Sequence, residues 1–282
     1  MDSAFSVLAE GLVFPESPRW HDGALWFSDM YGRRVLRLSP ESRRLSLVAE
    51  LDDRPSGIGW LPGGDMLVVS MERRCLLRLA AGKTTVHADI APLVTGDAND
   101  MVVDAFGRAY VGNFGKGYAE GGEVEPANLV IVESDGTSRR GPDDLLFPNG
   151  TVISPGGRTL IVAEGSRLTL TEFTIEPDGS LADRREFAAL DDIPDGIALD
   201  AAGCVWVAFP LKQEFARVER GGNVTDHISV APRGAFACCL GGARRQTLFM
   251  CATLGGPAQI QNKTSEGAIL AAEVATPGAG FP

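Results

Sequence analysis

The stretch FPNGTVISPGGRTLIVAE, from Phe147 to Glu164, contains the unit from which the whole chain is built. A polar residue, Asn149, begins an apolar run, and a Pro-Gly-Gly turn separates that run from a second one. β-branched and aromatic residues dominate the second run of the repeated units, as they do in strands. The pattern therefore predicts two β-strands joined by a turn.

The same unit can be aligned six times along the chain, and we call the residue that begins each copy the opener. The openers are Glu16, Ser56, Asn99, Asn149, Asp195 and Gly234. Each unit continues into two weaker alternating segments, which brings the expected number of strands to four. The spacing of the openers, between 39 and 50 residues, is close to the length of a propeller blade.

The predicted fold class is therefore all-β, a six-bladed β-propeller with four antiparallel strands per blade. Residues 1–282 are expected to form a single domain. Residues 4–13 are expected to pair with Gly267–Val274, so that N- and C-terminal strands close the ring and no sheet edge stays exposed. No sustained 3.6-residue periodicity of apolar residues occurs, so helices should be scarce.

Composition limits the partners that the chain can have. A formal net charge of −11 disfavours nucleic acid and anionic membranes, and no apolar run is long enough to span a membrane. The acidic start lacks the features of a signal peptide. Five cysteines outside any paired metal spacing indicate buried free thiols. We expect a cytoplasmic protein, monomeric or weakly self-associating, that acts on a small molecule.

The openers carry the prediction of a site. The first strand of each propeller blade lines the central channel, so equivalent positions should meet at one mouth of it. Glu16 and Asp195 would place two carboxylates there, beside the carboxamides of Asn99 and Asn149. Buried carboxylates repel one another, and a divalent cation removes both the repulsion and the cost of burial. Oxygen donors favour Ca²⁺, with Mg²⁺, Mn²⁺ or Zn²⁺ as alternatives.

The alternative for any single opener is that Asn or Asp before Gly forms a turn and nothing more. One unit taken alone favours that interpretation. Four oxygen-bearing side chains at one repeat position, each in a different blade, favour a site instead.

The loops that follow the second strands are predicted to return to the same mouth. They contain Tyr31, Asn113 and Phe114, and the long glycine-rich loop 115–128 is predicted to form a lid carrying Tyr118. A rim with so many apolar residues favours a substrate ring of alkyl or aromatic character. Neither a serine-histidine-aspartate triad nor a phosphate-binding loop is supported by the sequence.

Four motifs resemble the senescence-marker-protein/gluconolactonase family of six-bladed metal-dependent hydrolases: FPESPRW, NDMVVDAFGRAYVGN, FPNGTVISPGGRTLIVAE and IPDGIALDAAG. The resemblance extends from about Leu12 to the closing VATPGAGFP. It implies a metal held by Glu16, Asn149 and Asp195, with Asn99 as a fourth ligand or a substrate contact. It also implies that Asp195 is the general base.

One position departs from the family pattern. Members that act on sugar lactones carry an arginine two residues before the position of Asn99, and this chain has Asp97 there. The expected substrate is therefore not a typical sugar lactone. The candidate substrate-binding residues are Asn99, Asp97, Ser56, Tyr31, Asn113, Phe114 and Tyr118.

The function predicted from the sequence is metal-dependent hydrolysis of a lactone, through a metal-polarised carbonyl and an activated water. Three alternatives use the same fold. They are a phosphotriester hydrolase of the organophosphate type, a non-catalytic calcium-binding propeller, and a lyase or condensing enzyme.

Overall fold

The structure is a computed structural model that describes residues 5–117 and 124–280. Within these ranges the chain forms 24 strands, which begin with β1 (Ser6–Leu12). The next two groups of four are β2 (Pro15–His21), β3 (Ala24–Asp29), β4 (Arg34–Ser39), β5 (Arg44–Glu50), β6 (Pro55–Trp60), β7 (Met66–Ser70), β8 (Cys75–Ala80) and β9 (Lys83–Asp89). The third and fourth groups are β10 (Ala98–Val103), β11 (Ala109–Asn113), β12 (Val130–Val132), β13 (Ser138–Arg140), β14 (Pro148–Ile153), β15 (Thr159–Glu164), β16 (Thr169–Ile175) and β17 (Leu181–Ala189). The remaining strands are β18 (Ile197–Leu199), β19 (Val205–Phe209), β20 (Glu214–Val218), β21 (Val224–Ser229), β22 (Gly234–Gly241), β23 (Thr247–Leu254) and β24 (Glu266–Glu273).

The strands form six four-stranded antiparallel sheets, five of which take four consecutive strands each. The sixth has the order β1-β24-β23-β22 and joins the two ends of the chain. In it Ser6 lies opposite Ala271, and Leu12 lies opposite Gly267. The predicted six-bladed propeller and its closure by terminal strands are both confirmed.

The first strands of the six sheets form the inner wall of the ring. These strands are β2, β6, β10, β14, β18 and β22, and each contacts its two neighbours around the circle. Inner strands such as β10 and β14 are buried along their whole length, because adjacent blades cover both of their faces. Outer strands such as β5 and β9 are mostly exposed. This difference explains why apolar runs are continuous in the first two strands of a unit and weak in the last two.

The inner strands are irregular where the openers lie. The pairing of the first two strands shifts between Glu16 and Arg19, between Pro55 and Ile58, between Ala98 and Met101, and between Pro148 and Thr151. An extra residue in one strand of a pair bends that strand and redirects its side chains. The repeated irregularity therefore helps to direct the side chains of four openers, Glu16, Ser56, Asn99 and Asn149, at the mouth of the channel.

Glycines after the openers allow the inner strands to approach closely. A Cβ at Gly150 would lie 2.5 Å from the backbone nitrogen of Ile197, and one at Gly196 would lie 2.6 Å from Cα of Ala237. Neither glycine has a left-handed φ; Asn149 and Gly150 lie within β14, and the backbone N–H of Gly196 donates to Phe236 in the next blade. The absence of a side chain at these positions brings neighbouring openers together.

Helical structure in the described residues consists of one 3₁₀ turn, Ala91–Leu93, and one short α-helix, α1 (Pro257–Gln261). None of the described helices has the length and hydropathy that a membrane crossing needs. All five cysteines are buried free thiols. Burial raises the pKa of the Cys239 thiol to about 12, so this group stays protonated and unreactive.

Candidate active site at the hub of the propeller

The polar openers meet through a line of hydrogen bonds that crosses four blades. Ser56 Oγ donates to Asn99 Oδ1 at 3.3 Å, and Asn99 Nδ2 donates to Asn149 Oδ1 at 3.1 Å. Asn149 in turn donates to the carboxylate of Asp195. Residues that are up to 139 positions apart in sequence are thus brought together at the centre of the ring, as the repeat spacing predicts.

Two of the openers are acidic, and the pKa of each is raised. Burial and the nearby charges of Asp195 and Asp100 raise the pKa of Glu16 well above its ordinary value, although the backbone N–H of Ser17 donates to Glu16 Oε2. Burial and repulsion from Asp100 raise the pKa of Asp195 from 3.8 to about 8, although the hydrogen bond from Asn149 opposes the shift. Glu16 is buried, while Asp195 is partly exposed to the cavity described below.

A buried ion pair lies beside the openers and was not predicted from the sequence. Arg19 Nη2 donates to Asp100 Oδ1 at 2.9 Å, and both side chains are buried. Arg19 also donates to the backbone oxygens of Pro18 and Met101. Three carboxylates, those of Glu16, Asp100 and Asp195, therefore face one guanidinium, so the fully ionised hub carries a net charge of −2.

The hub has the donor set of a site for a hard divalent cation. Two carboxylates and two carboxamides converge, and Ser17 Oγ is buried there without a hydrogen-bond partner among the described residues. Within residues 5–117 and 124–280, no three His, Cys, Asp or Glu side chains form a metal-binding cluster. Any cation at the hub would therefore depend on the asparagine oxygens as well as on Glu16 and Asp195.

A cavity of about 350 Å³ opens above the openers. Glu16, Asn99, Asn149 and Asp195 lie among its lining residues, together with an apolar wall. In that wall Phe14 packs against Phe236 with ring centroids 4.6 Å apart. Phe114 stacks on Phe147 at 4.9 Å, and the same wall includes Met30, Val124, Ile193, Pro210 and Ile260. A volume of this size suits one small ring with a substituent.

The position two residues before each opener forms a second circle, which we call the upper ring. Its members in the first five blades are Phe14, Arg54, Asp97, Phe147 and Ile193. All of them except Asp97 line the cavity. The same repeat that gathers the openers therefore also supplies four of the residues that line the cavity above them.

Polar residues at the ends of the second strands hold the upper ring in place. Asp29 ends β3, and its carboxylate accepts from the backbone N–H of Phe14 at 2.8 Å. Glu164 ends β15, and its carboxylate accepts from the backbone N–H of Leu146, next to Phe147, at 2.8 Å. Asn113 ends β11 and bonds to backbone groups of Gly96, Gly115 and Asn128. This shared role accounts for a buried polar residue at the same place in several blades.

Arg54 is held by three neighbours. Its Nε donates to Glu72 Oε1 at 2.8 Å, its Nη2 to Asp97 Oδ2 at 2.8 Å, and its Nη1 to Tyr31 Oη at 3.3 Å. The guanidinium also lies over the Tyr31 ring, 5.3 Å from the centroid. Burial alone would lower the pKa of Arg54, but Tyr31, Glu72 and Asp97 outweigh burial and raise it.

The predicted substrate-binding residues occupy different places. Asn99, Tyr31 and Phe114 line the cavity. Ser56 and Asn113 are fully buried behind its wall, where they hold Asn99 and the loop after β11. Asp97 is absent from the described cavity lining, and its carboxylate holds Arg54. Tyr118 lies outside the described residues.

Several site residues were missed although the sequence contained a sign of them. Asp100 directly follows an opener, and Arg19 lies three residues after one. Phe14, Arg54 and Phe147 share the position two residues before an opener, so extending the repeat by two residues would have identified them. Phe236 lies two residues after the degenerate opener Gly234 and could not be identified in this way.

Comparisons with known proteins agree with this architecture. The family model of the SMP-30/gluconolactonase/LRE-like region matches residues 14–253. Among curated proteins, the chain is 25% identical over 294 residues to 6-deoxy-6-sulfogluconolactonase of Pseudomonas putida, covering 98% of this chain and 96% of that protein. It is 23% identical over 247 residues to a pentonolactonase of Haloferax volcanii, covering 86% of this chain and 81% of that protein.

Solved structures share the fold. A calcium-binding protein, regucalcin, from Agrobacterium tumefaciens superposes with a TM-score of 0.82 at 20% identity. The match covers 99% of this chain and 97% of that one.

Proposed function

Because the chain belongs to the SMP-30/gluconolactonase/LRE-like family, we propose that it is a hydrolase that opens a lactone ring at the hub of the propeller. The observation that carries the proposal is the meeting of Glu16, Asn99, Asn149 and Asp195 at the floor of one cavity. The two curated relatives described above are both named as lactonases, which supports the same reaction class.

The residues at the hub fit a bound divalent cation. Glu16, Asn149 and Asp195 would hold it, with Asn99 as a fourth donor or a substrate contact. Calcium suits this site best, because all the donors are oxygen atoms and two of them are carboxylates. The net charge of −2 on the ionised hub matches the charge of one such ion. When bound, the cation supplies a Lewis acid that polarises the lactone carbonyl and makes water more acidic.

The residues of the chain supply proton transfer and orientation. Asp195 reaches the cavity and has a raised pKa, so its carboxylate is well suited to take a proton from the attacking water. The water oxygen adds to the carbonyl carbon, the bond between that carbon and the ring oxygen breaks, and Asp195 returns the proton to the leaving oxygen. The product is the open hydroxy acid. Asn99 uses one Nδ2 proton for Asn149 and has the other for the substrate.

The cavity wall favours a substrate other than a polyhydroxylated sugar. Phe14, Phe147, Ile193 and Phe236 offer no hydrogen bonds from their side chains, and they occupy much of the described lining. Each substrate hydroxyl placed against such a wall would lose hydration without replacement. We therefore favour a lactone with an apolar ring.

Metal analysis of the purified protein, combined with a pH-indicator screen of sugar, alkyl and aromatic lactones, tests the proposal. We expect turnover that is lost in EDTA and restored by calcium. Glu16→Ala and Asp195→Ala should abolish both turnover and metal retention while the circular dichroism spectrum stays that of the propeller. Asp178→Ala, which changes an exposed carboxylate on an outer turn, is the matched control and should keep both.

The same screen separates the other functions. Hydrolysis of organophosphates in place of lactones would assign the hub to phosphotriesters. Tight calcium binding without turnover of any ester would favour a binding protein. Full activity in a metal-free Glu16→Ala variant would contradict the proposed role of the hub.

A further inference from the structure

Arg54 is the one basic side chain among the described residues that line the cavity. The other upper-ring residues at the cavity are Phe14, Phe147 and Ile193, which offer apolar surface only. A ligand that enters therefore meets one cation on an otherwise apolar circle. Such a contrast favours a ligand whose polar group is confined to one side.

The guanidinium of Arg54 is oriented before any ligand binds. The bonds to Glu72, Asp97 and Tyr31 use one N–H on each of its three nitrogens. The backbone N–H of Arg54 is also held, by Asp53 Oδ1 at 2.6 Å. An arginine has five N–H donors, so one on each terminal nitrogen is without a partner among the described residues. A ligand gains these two donors without the entropy cost of ordering the side chain.

The charges around Arg54 leave room for an anion. Arg54 and Arg74 both pair with Asp97, the latter at 3.8 Å, and Glu72 adds one more carboxylate. The four charges sum to zero, so an arriving anion meets no net negative charge in this group. Glu72 is half exposed, whereas the Asp97 side chain is 22% exposed. The less exposed Asp97 therefore anchors the guanidinium, while the two remaining N–H groups on its terminal nitrogens are available to a ligand.

We propose that Arg54 determines specificity, by selecting lactones that carry an anionic substituent such as a carboxylate. The anionic oxygens would accept charge-assisted hydrogen bonds, which are about twice as strong as those between neutral groups. The carbon ring would then pack on Phe14, Phe147 and Ile193, with its carbonyl toward the openers. Asp97 acts as a positioning residue for Arg54. This inference rests on the proposed lactonase function and names the substrate class of the same site.

Three substrates that differ in one group provide the test. They are γ-butyrolactones that carry a carboxylate, a carboxamide or a methyl group on the carbon next to the ring oxygen. We expect kcat/KM of the wild type to be about tenfold or more higher for the carboxylate than for the carboxamide. Arg54→Gln should lower kcat/KM for the carboxylate about 10- to 100-fold, and it should lower kcat/KM for the methyl lactone far less, so that the preference for the carboxylate is lost.

Two further variants separate the role of Arg54 from general effects. Arg74→Gln removes the same charge beside the same Asp97, but Arg74 does not line the described part of the cavity, so the carboxylate preference should persist. Asp97→Asn loosens Arg54 without removing it, and it should reduce the ratio of carboxylate to carboxamide turnover. A merely structural role of Asp97 would lower all three rates together and leave the ratio unchanged.

A binding measurement keeps this inference distinct from the proposed function. Cyclopentanecarboxylate and cyclopentanecarboxamide have no lactone bond, and their binding can be followed by ligand-detected NMR. Lactone turnover without preference for the carboxylate, or with equal losses in Arg54→Gln for all three lactones, would overturn the role of Arg54 and leave the hydrolase in place. Carboxylate binding that depends on Arg54, without turnover of any lactone, would support the role of Arg54 and reject the proposed hydrolase. Failure of both measurements would reject both proposals.

Discussion

Replacing Asp195 by Asn should stabilise the cation-free protein at alkaline pH and destabilise the calcium-loaded one. Asn keeps the shape of the side chain and can still accept the hydrogen bond from Asn149, but it carries no charge. The free energy of unfolding of the variant therefore isolates the cost of the buried charge. The same variant should thus be more stable than the wild type without calcium at alkaline pH, and less stable than the wild type with calcium.

The magnitude follows from the pKa of Asp195. Its pKa is raised from 3.8 to about 8, and each pKa unit corresponds to about 1.4 kcal/mol. Complete ionisation in the folded state would therefore cost at most about 6 kcal/mol, and access of water through the cavity should reduce this cost to about 2–4 kcal/mol. Because the folded-state pKa is raised, the wild type is unpenalised below about pH 4, loses stability as the pH rises from about 4 to about 8, and carries the full penalty above that.

Urea unfolding, followed by tryptophan fluorescence between about pH 4 and about pH 9, measures the difference. In EDTA the variant and the wild type should be equally stable at the acidic end, and the advantage of the variant should grow as the pH rises from about 4 and level off above about 8. Calcium at a hundred times its Kd should add about 2.7 kcal/mol to the wild type and much less to the variant.

Asp178→Asn is the control, and it should change the free energy of unfolding in the opposite direction. Hydrogen bonds from Ser180 lower the pKa of Asp178, so removing this carboxylate should reduce stability above the ordinary pKa of an aspartate, whether or not calcium is present. If Asp195→Asn gained no stability over the wild type at about pH 9 in EDTA, the repulsion inferred at the hub would be wrong.

Three further experiments test the packing of the propeller. Gly150→Ala should destabilise the protein by about 1–3 kcal/mol, because the new Cβ would lie 2.5 Å from a backbone nitrogen. Gly156→Ala is the control: its Cβ has open space, so the free energy of unfolding should change by less than about 1 kcal/mol. Thermal unfolding measures both. Arg19→Met should cost about 3–5 kcal/mol in urea unfolding by leaving Asp100 unpaired, and a double variant with Asp100→Leu should recover much of the loss. The five buried thiols should react with a thiol reagent only after unfolding, because burial keeps them protonated.

The sequence predicted the features that repeat and missed those that depend on contacts between blades. Six openers at regular spacing were enough for the fold and for the meeting of Glu16, Asn149 and Asp195, since equivalent positions in a closed ring must converge. The ion pair of Arg19 with Asp100 joins two blades and has no local pattern. Neither residue recurs in the other units, so the repeat does not indicate it.

Asn113 illustrates why the direction of a side chain is difficult to predict. It lies at the expected end of a second strand, but its amide bonds to backbone groups of two loops and is fully buried. Asp29 and Glu164 have the same position and the same role. A polar residue at a strand end can face a ligand or hold the neighbouring loop, and composition alone does not distinguish the two.

The repeat separates the tasks of the site among three sets of positions. The openers supply the charge at the floor, the ends of the second strands hold the loops, and four of the five upper-ring residues line the cavity. Arg54 and Asp97 share one upper-ring position in adjacent blades and are joined by an ion pair, so the groups presented to a substrate can change there without altering an opener. The specificity of this chain should accordingly depend on Arg54, and its reaction on Asp195.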